Sequence, residues 1–156
     1  MRKIKVLAVG AKPKDYIGEG ISKFEKKIRR YCDLELQWIK EANYSSGDPA
    51  VWLDIESQRI EKRLSKESVK IACDEKGKQL TSVDFSMEFE KWATKGFSSF
   101  DFIVGGAYGL HDRIKQSAQL ILSFSPMTMT HQMFRLFLIE QIYRAFTIIN
   151  GEKYHH

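Results

Sequence analysis

Between Thr130 and Asn150 the chain contains neither glycine nor proline, and the stretch reads as one long helix. Projected at about 100° per residue, His131, Arg135, Leu138, Ile142, Ala145 and Ile149 share one side. Leu136, Phe137, Glu140 and Arg144 fall opposite. Apolar side chains therefore occur around nearly the whole circumference, and a helix of that kind is buried on nearly every side. In a domain of 156 residues one side is expected to cover a sheet and the other to meet a second copy of the chain in a symmetric dimer. Such a contact also shields Glu140 and Arg144, which are one helical turn apart and positioned to pair.

The rest of the sequence supplies the sheet. Lys3–Gly10 alternates into an apolar strand, and Asp15–Tyr31 carries Ile17, Ile21, Phe24 and Ile28 at helical spacing. Leu34–Ile39 alternates again. Asp48-Pro49 opens a helix running to about Leu64, because proline suits the first helical position. Ser68–Cys73 is a third strand, turned by Asp74–Gly77. Ser82 is the expected cap of a helix from Val83 to Lys95, ended by Gly96. Phe100–Val104 and Leu120–Phe124 are the fourth and fifth strands, with a short helix over 110–119 between them. Strict alternation of this kind specifies an α/β domain, a mostly parallel sheet covered by helices on both faces. No repeat or linker divides it.

Ligands in such sheets bind beyond the carboxyl ends of the strands. Three segments qualify, Cys73–Lys78, Gly105–Gly109 and Phe124–Met129. The last two lack bulky charges and adjoin the buried helix, which suggests a pocket for a small adenosyl-type ligand. Taken alone, a Gly-Gly pair after a strand is an ordinary turn. A nicotinamide-binding reading fails, because Gly10-Ala-Lys-Pro-Lys14 lacks the glycine fingerprint required after the first strand.

Charge and cysteine content narrow the setting. The formal net charge is +5. The first thirty residues hold Arg2, Lys3, Lys5, Lys12, Lys14, Lys23, Lys26, Lys27, Arg29 and Arg30 against Asp15, Glu19 and Glu25. This segment is either a phosphate-facing surface or a solvated helix face. Cys32, at the expected end of the first helix, and Cys73, in the third strand, have no metal-ligand spacing and read as reduced core thiols. The apolar runs are too short to span a membrane, and the opening run stops at Gly10 before Lys12 and Lys14, so no secretory signal is expected. A cytoplasmic protein without a metal or a membrane partner is the expectation.

Several motifs carry a resemblance. Phe102-Ile-Val-Gly105-Gly106-x-x-Gly109, Leu122-Ser-Phe124-Ser125-x-Met127-Thr128, His131-Gln132, Leu138-x-Glu140-Gln141-x-Tyr143-Arg144-Ala145 and Gly151-x-x-Tyr154-His155 resemble the RlmH (YbeA) family of SPOUT-class ribosomal RNA methyltransferases, as does Val6-Leu-Ala-Val-Gly10. The resemblance covers essentially the whole chain. It implies a minimal SPOUT domain with a C-terminal trefoil knot, acting as a homodimer. It also implies methyl transfer from S-adenosylmethionine to N3 of a pseudouridine in large-subunit (23S) rRNA of the assembled ribosome. By motif, the cofactor would be held by Cys73, Gly105, Phe124, Ser125, Pro126, Met127, Thr128 and Met129. Relatives typically have leucine where this chain has Cys73, and commonly proline where it has Thr130.

The chemistry so implied needs alignment of donor and acceptor and exclusion of water. It also needs a group to remove or offset the imide proton. His155 is the candidate base, Tyr154 stacks or hydrogen-bonds beside it, and Arg144 oriented by Glu140 offsets anionic charge. The tail of one subunit would complete the pocket of the other. Glu140–Arg144 can also be a plain structural pair, and His131 is read as a structural or pocket-lining residue. The alternative function is a catalytically weak or inactive homologue acting as a ribosome- or RNA-binding dimer, for which Cys73 and Thr130 are the support.

Overall fold

Strands and helices alternate from one end of the chain to the other: β1 (Arg2–Val9), α1 (Tyr16–Ile28), β2 (Cys32–Ile39), α2 (Pro49–Glu61), β3 (Val69–Gln79), α3 (Ser82–Thr94), β4 (Ser99–Val104), α4 (Asp112–Ser117), β5 (Leu120–Ser123) and α5 (His131–Ile149). The structure is a computed structural model describing Met1–His156. The five strands form one sheet in the order β2-β1-β4-β3-β5, and every neighbouring pair is parallel. The period-two alternation of β1 sorts the core. Ile4, Val6 and Ala8 join residues of α1, α3 and α5 on one face, whereas Leu7 and Val9 join Ile60 of α2 and Ile114 of α4 on the other.

Local chemistry sets most helix ends. The Asp15 carboxylate accepts the Ile17 N–H at 3.0 Å and Asp48 accepts that of Val51 at 3.1 Å. Thr130 accepts from Met133 N–H at 3.2 Å, and Gly151 at φ +67 ends the terminal helix. Thr130 thus gives α5 a capped start where a proline would have given a rigid one.

Several sequence-based expectations are corrected. Asp74–Gly77 does not end the third strand. β3 continues to Gln79 through a register shift between Cys73 and Lys78, both of which pair with Leu122. The Asp74 carboxylate accepts Lys76 N–H at 2.8 Å and shapes the excursion. Gly77 lets β5 lie against it, since a Cβ there would sit 2.7 Å from the Ile121 carbonyl oxygen. α3 is capped by Thr81, not Ser82; its hydroxyl accepts Asp84 N–H at 3.0 Å. α2 stops at Glu61, short of Leu64, and Cys32 starts β2 instead of ending α1.

α5 lies in a layer between α1 and α3, so its underside and both flanks are covered. Leu136 fits against Gly20, where a Cβ would be 2.9 Å from its Cδ1. The outer edge stays open, with Phe137 at 46% exposure, because a three-helix layer leaves its middle helix one free side. The first turns of α5 are pinned differently. Arg135, 1% exposed, donates to the carbonyls of Val9 and, at 3.4 Å, Ala11, and its guanidinium lies 5.4 Å from the Trp38 ring centre. Gly10, at φ +114, makes room, for a Cβ would meet Nη2 at 2.8 Å.

Gly77→Ala is expected to force β3 and β5 apart and lower the unfolding free energy by about 1–3 kcal/mol. Urea denaturation measures this, and an unchanged midpoint would show that the strands can yield.

Candidate functional site

A cleft of ≈ 530 Å³ lies between the mid-strand excursion of β3, at Cys73–Lys76, and the segments that follow β4 and β5. All three segments singled out in the sequence reach it. Cys73, Gly105, Phe124, Ser125, Met127, Thr128 and Met129 line it, whereas Pro126 does not and points to solvent. β5 ends where the Ser125 hydroxyl accepts Met127 N–H at 3.0 Å, curling the 124–129 segment around the rim. Phe124 stacks on Phe134 of α5 at 4.7 Å and 25°, closing the floor.

Gly105 lines the cleft and also shapes its loop. The position its Cβ would take is 2.4 Å from the Gly109 carbonyl oxygen, so the glycine is required by the loop's own turn. Gly109 N–H closes that turn on Gly106 at 3.1 Å. Tyr108, in the same loop, packs against Tyr44 at 5.0 Å and Trp52 at 4.9 Å. Tyr44 in turn donates to the buried carboxylate of Glu56 at 2.7 Å. The cleft wall is thereby braced against α2.

Charged groups collect at one end. Asp74 lies 3.4 Å from Lys115, whose ammonium also meets Asp112 at 3.3 Å. Burial alone would loosen the Lys115 proton, but the two aspartates outweigh it and raise its pKa. Burial, then the charge of Asp74, pushes the Cys73 thiol well above its usual range, so it is a neutral apolar wall. His131 lines the cleft, with its pKa lowered first by burial and then by the Arg135 charge, against an opposing pull from Glu41.

The other four site candidates form a second cluster. Arg144 donates from Nε at 3.1 Å and Nη2 at 2.6 Å to the same Glu140 oxygen, which also accepts the Tyr154 hydroxyl at 3.0 Å. The guanidinium lies 4.6 Å from the Tyr154 ring centre and 3.3 Å from Nδ1 of His155. Arginine can only donate, so Nδ1 is the acceptor in any hydrogen bond across that contact. Burial, then the Glu140 hydrogen bond, raises the Tyr154 pKa and keeps its phenol protonated. Glu152 fastens the tail, accepting from Arg30 at 2.5 Å and from the Tyr31 hydroxyl at 2.7 Å.

Cleft and tail do not meet within one protomer. None of Glu140, Arg144, Tyr154 and His155 lines the cleft. Phe134, which does, is ten positions from Arg144, or about 15 Å of helical rise. Sequence reasoning included Asp74 and Tyr108 within two candidate segments without naming them, and missed Lys115 and Phe134 as cleft residues. Tyr108 sits inside the glycine loop and Asp74 directly follows Cys73, so proximity was the available signal. Phe134 and Lys115 are placed by tertiary packing.

A family described as "Predicted SPOUT methyltransferase" matches residues 2–155. The chain belongs to that family of SPOUT methyltransferases. Within it, the chain is 40% identical to the ribosomal RNA large subunit methyltransferase H of Halothermothrix orenii, over 98% of this chain and 99% of that protein. It is likewise 40% identical to that of Geotalea uraniireducens, over 99% of both, and 38% identical to that of Streptococcus pneumoniae, over 98% and 99%. The solved structure of a probable methylase family protein from Haemophilus influenzae shares the fold, with a TM-score of 0.54, 11% identity and coverage of 99% of this chain and 70% of that one.

The lowered His131 pKa gives a pH dependence. The folded ring holds its proton less tightly than the unfolded ring, so this contribution to stability is complete above about pH 6.5 and lost as pH falls below it. Urea unfolding at pH 7.5 and 5.5 is expected to show a larger loss for the native chain than for His131→Gln. Equal losses would assign the pH dependence to other groups.

Proposed function

We propose that the protein is an S-adenosylmethionine-dependent methyltransferase of N3 of a pseudouridine in large-subunit rRNA of the assembled ribosome. It would work as a cytoplasmic homodimer. The observation that carries this reading is the full-length match to the SPOUT family, in a chain where the β3 excursion and the segments after β4 and β5 enclose a cleft. The names of the relatives supply the substrate class. The C-terminal trefoil knot implied by the resemblance belongs to the same proposal.

The residues present suit the cofactor. The cleft is walled by Val104, Cys73, Phe124, Met129 and Phe134, with backbone amides and carbonyls of 105–109 and 124–129 to meet an adenine edge. When bound, the cofactor supplies an electrophilic methyl group on a sulfonium. The protein's part is to orient the two reactants, exclude water and handle one proton. Neutral His131 and Cys73 add no positive charge beside the sulfonium. Arg144, held by Glu140 and Tyr154, offsets the charge that develops as the imide nitrogen loses its proton. His155 takes that proton at Nδ1 once the base displaces its contact with Arg144.

The separation of cleft and tail supports a role for a second copy. An antiparallel partner could lay its tail across the cleft that a protomer's own tail cannot reach. Exposed Met127, Phe137, Val83 and Met87 supply apolar surface for such a contact. The weak-homologue alternative loses its support. Cys73 still closes the wall as an apolar neutral group, and Thr130 caps α5.

Two results are expected. Ribosomes lacking the modification should acquire label from methyl-labelled cofactor, located by mass mapping to one pseudouridine; labelled cofactor bound without labelled RNA would favour the binding-only alternative. Gly105→Ala, which disrupts the cleft loop, and His155→Ala should each abolish transfer alone. Mixed and allowed to exchange, they should recover activity, because one of the two sites in a mixed dimer is intact. Exchange without recovery would place cleft and tail in the same protomer's site.

A further inference from the structure

The structure sorts the cations of the first thirty residues into two groups. Arg2 pairs with Glu90, Arg29 with Glu25 and Arg30 with Glu152, while Lys5 donates to the Arg63 carbonyl and Ser65. Lys12, Lys14, Lys23, Lys26 and Lys27, like Lys3 on β1, have no carboxylate partner. These five line one trough of ≈ 800 Å³, in which Glu19 is the single acidic residue. Its two walls are the loop after β1 and the outer face of α1. They are brought together at Gly18, whose missing Cβ would lie 2.2 Å from the Pro13 carbonyl oxygen.

We infer that this lysine trough is a binding track for the sugar-phosphate backbone of RNA. The inference rests on the function proposed above and deepens it, by assigning where the nucleic acid runs outside the reacting base. Uncompensated like charges repel, so five lysines gathered in one concavity are a cost unless an anion offsets them. Lys23, Lys26 and Lys27 recur at three and four residues, so they project from one side of α1, a spacing that successive phosphates of one strand can match. Pro13 is the one apolar side chain in the lining, and the apolar stripe of α1, Ile17, Ile21 and Ile28, is buried in the core. A membrane-surface helix needs that stripe exposed, so a lipid headgroup layer fits poorly. The trough also leads to the tail. Lys27 lies 5.3 Å from the Tyr143 ring centre, and Tyr143 packs edge-on against Tyr154 at 4.7 Å. A strand in the trough is thus delivered beside the Arg144–His155 cluster.

The test uses the full chain and a fluorescein-labelled hairpin oligoribonucleotide, titrated from low to moderate salt. The triple variant Lys23→Gln, Lys26→Gln, Lys27→Gln is expected to weaken binding at least tenfold. It should also make the slope of log K against log salt shallower by about two to three, near 0.7–0.9 per phosphate contact. Cofactor affinity should not change. A control triple, Lys3→Gln, Lys62→Gln, Lys66→Gln, removes the same charge elsewhere. Equal weakening by both triples, or an unchanged slope in the first, would overturn the track. So would binding to phosphatidylserine vesicles that depends on these lysines when RNA binding does not. If the native chain methylates ribosomes but the first triple keeps its KM for them, the track fails and the proposed function stands. If the lysines govern RNA binding and no methyl is transferred, the function fails and the track stands.

Discussion

A single guanidinium organises the end of this molecule where the cleft lies. Arg135 is buried without a carboxylate partner, which costs desolvation free energy that an ordinary core residue would not incur. Burial lowers its pKa, the expected response of a cation taken out of water. The cost is offset by backbone carbonyls at the end of β1 and by the face of Trp38. What this arrangement achieves is placement. α5 is fixed at its first turns to the central part of the sheet, and the 124–129 segment, strung between β5 and α5, has both ends held. Gly10 is the complementary device, since only a residue without a side chain leaves room for Nη2.

From that anchor α5 divides the chemistry in two. Its first turns contribute His131 and Phe134 to the cleft, and its far turns carry Glu140 and Arg144 with the tail folded back on them. A rigid helix keeps the two ends apart. The tail is nevertheless ordered within one protomer, because Glu152 is held by Arg30 and Tyr31 and Tyr154 by Glu140 and Tyr143. An element ordered in advance loses less entropy when it docks. The protomer thus presents two half-sites, each already shaped.

The order of elements and the parallel sheet were legible because they rest on short-range patterns. The alternation in β1, the Asp48-Pro49 start of α2 and the periodicity of α1 are written within a few residues of where they act. Errors arose where a tertiary contact outweighed a local signal. Asp74-Glu-Lys-Gly77 carries turn chemistry and does make a local turn, yet pairing with β5 carries the strand through it. Thr81 and Ser82 can both cap a helix, and Asp84 at the third helical position selects Thr81. Of the eight residues that the motifs named for the cofactor, seven line the cleft. The bracing of Tyr108 by Trp52 and Tyr44, and the hold of Arg135 on Val9, could not be read, because their partners are remote in sequence.

The placement of β1 has a temporal consequence. β1, made before the other four strands, sits inside the sheet between β2 and β4, and its end is secured by a side chain from α5. Such long-range closure is slow and leaves strand edges bare while it waits. The nascent chain therefore cannot assemble its cleft until α5 has been translated. A protein proposed to modify ribosomes would acquire its own working shape only once α5 has emerged from one.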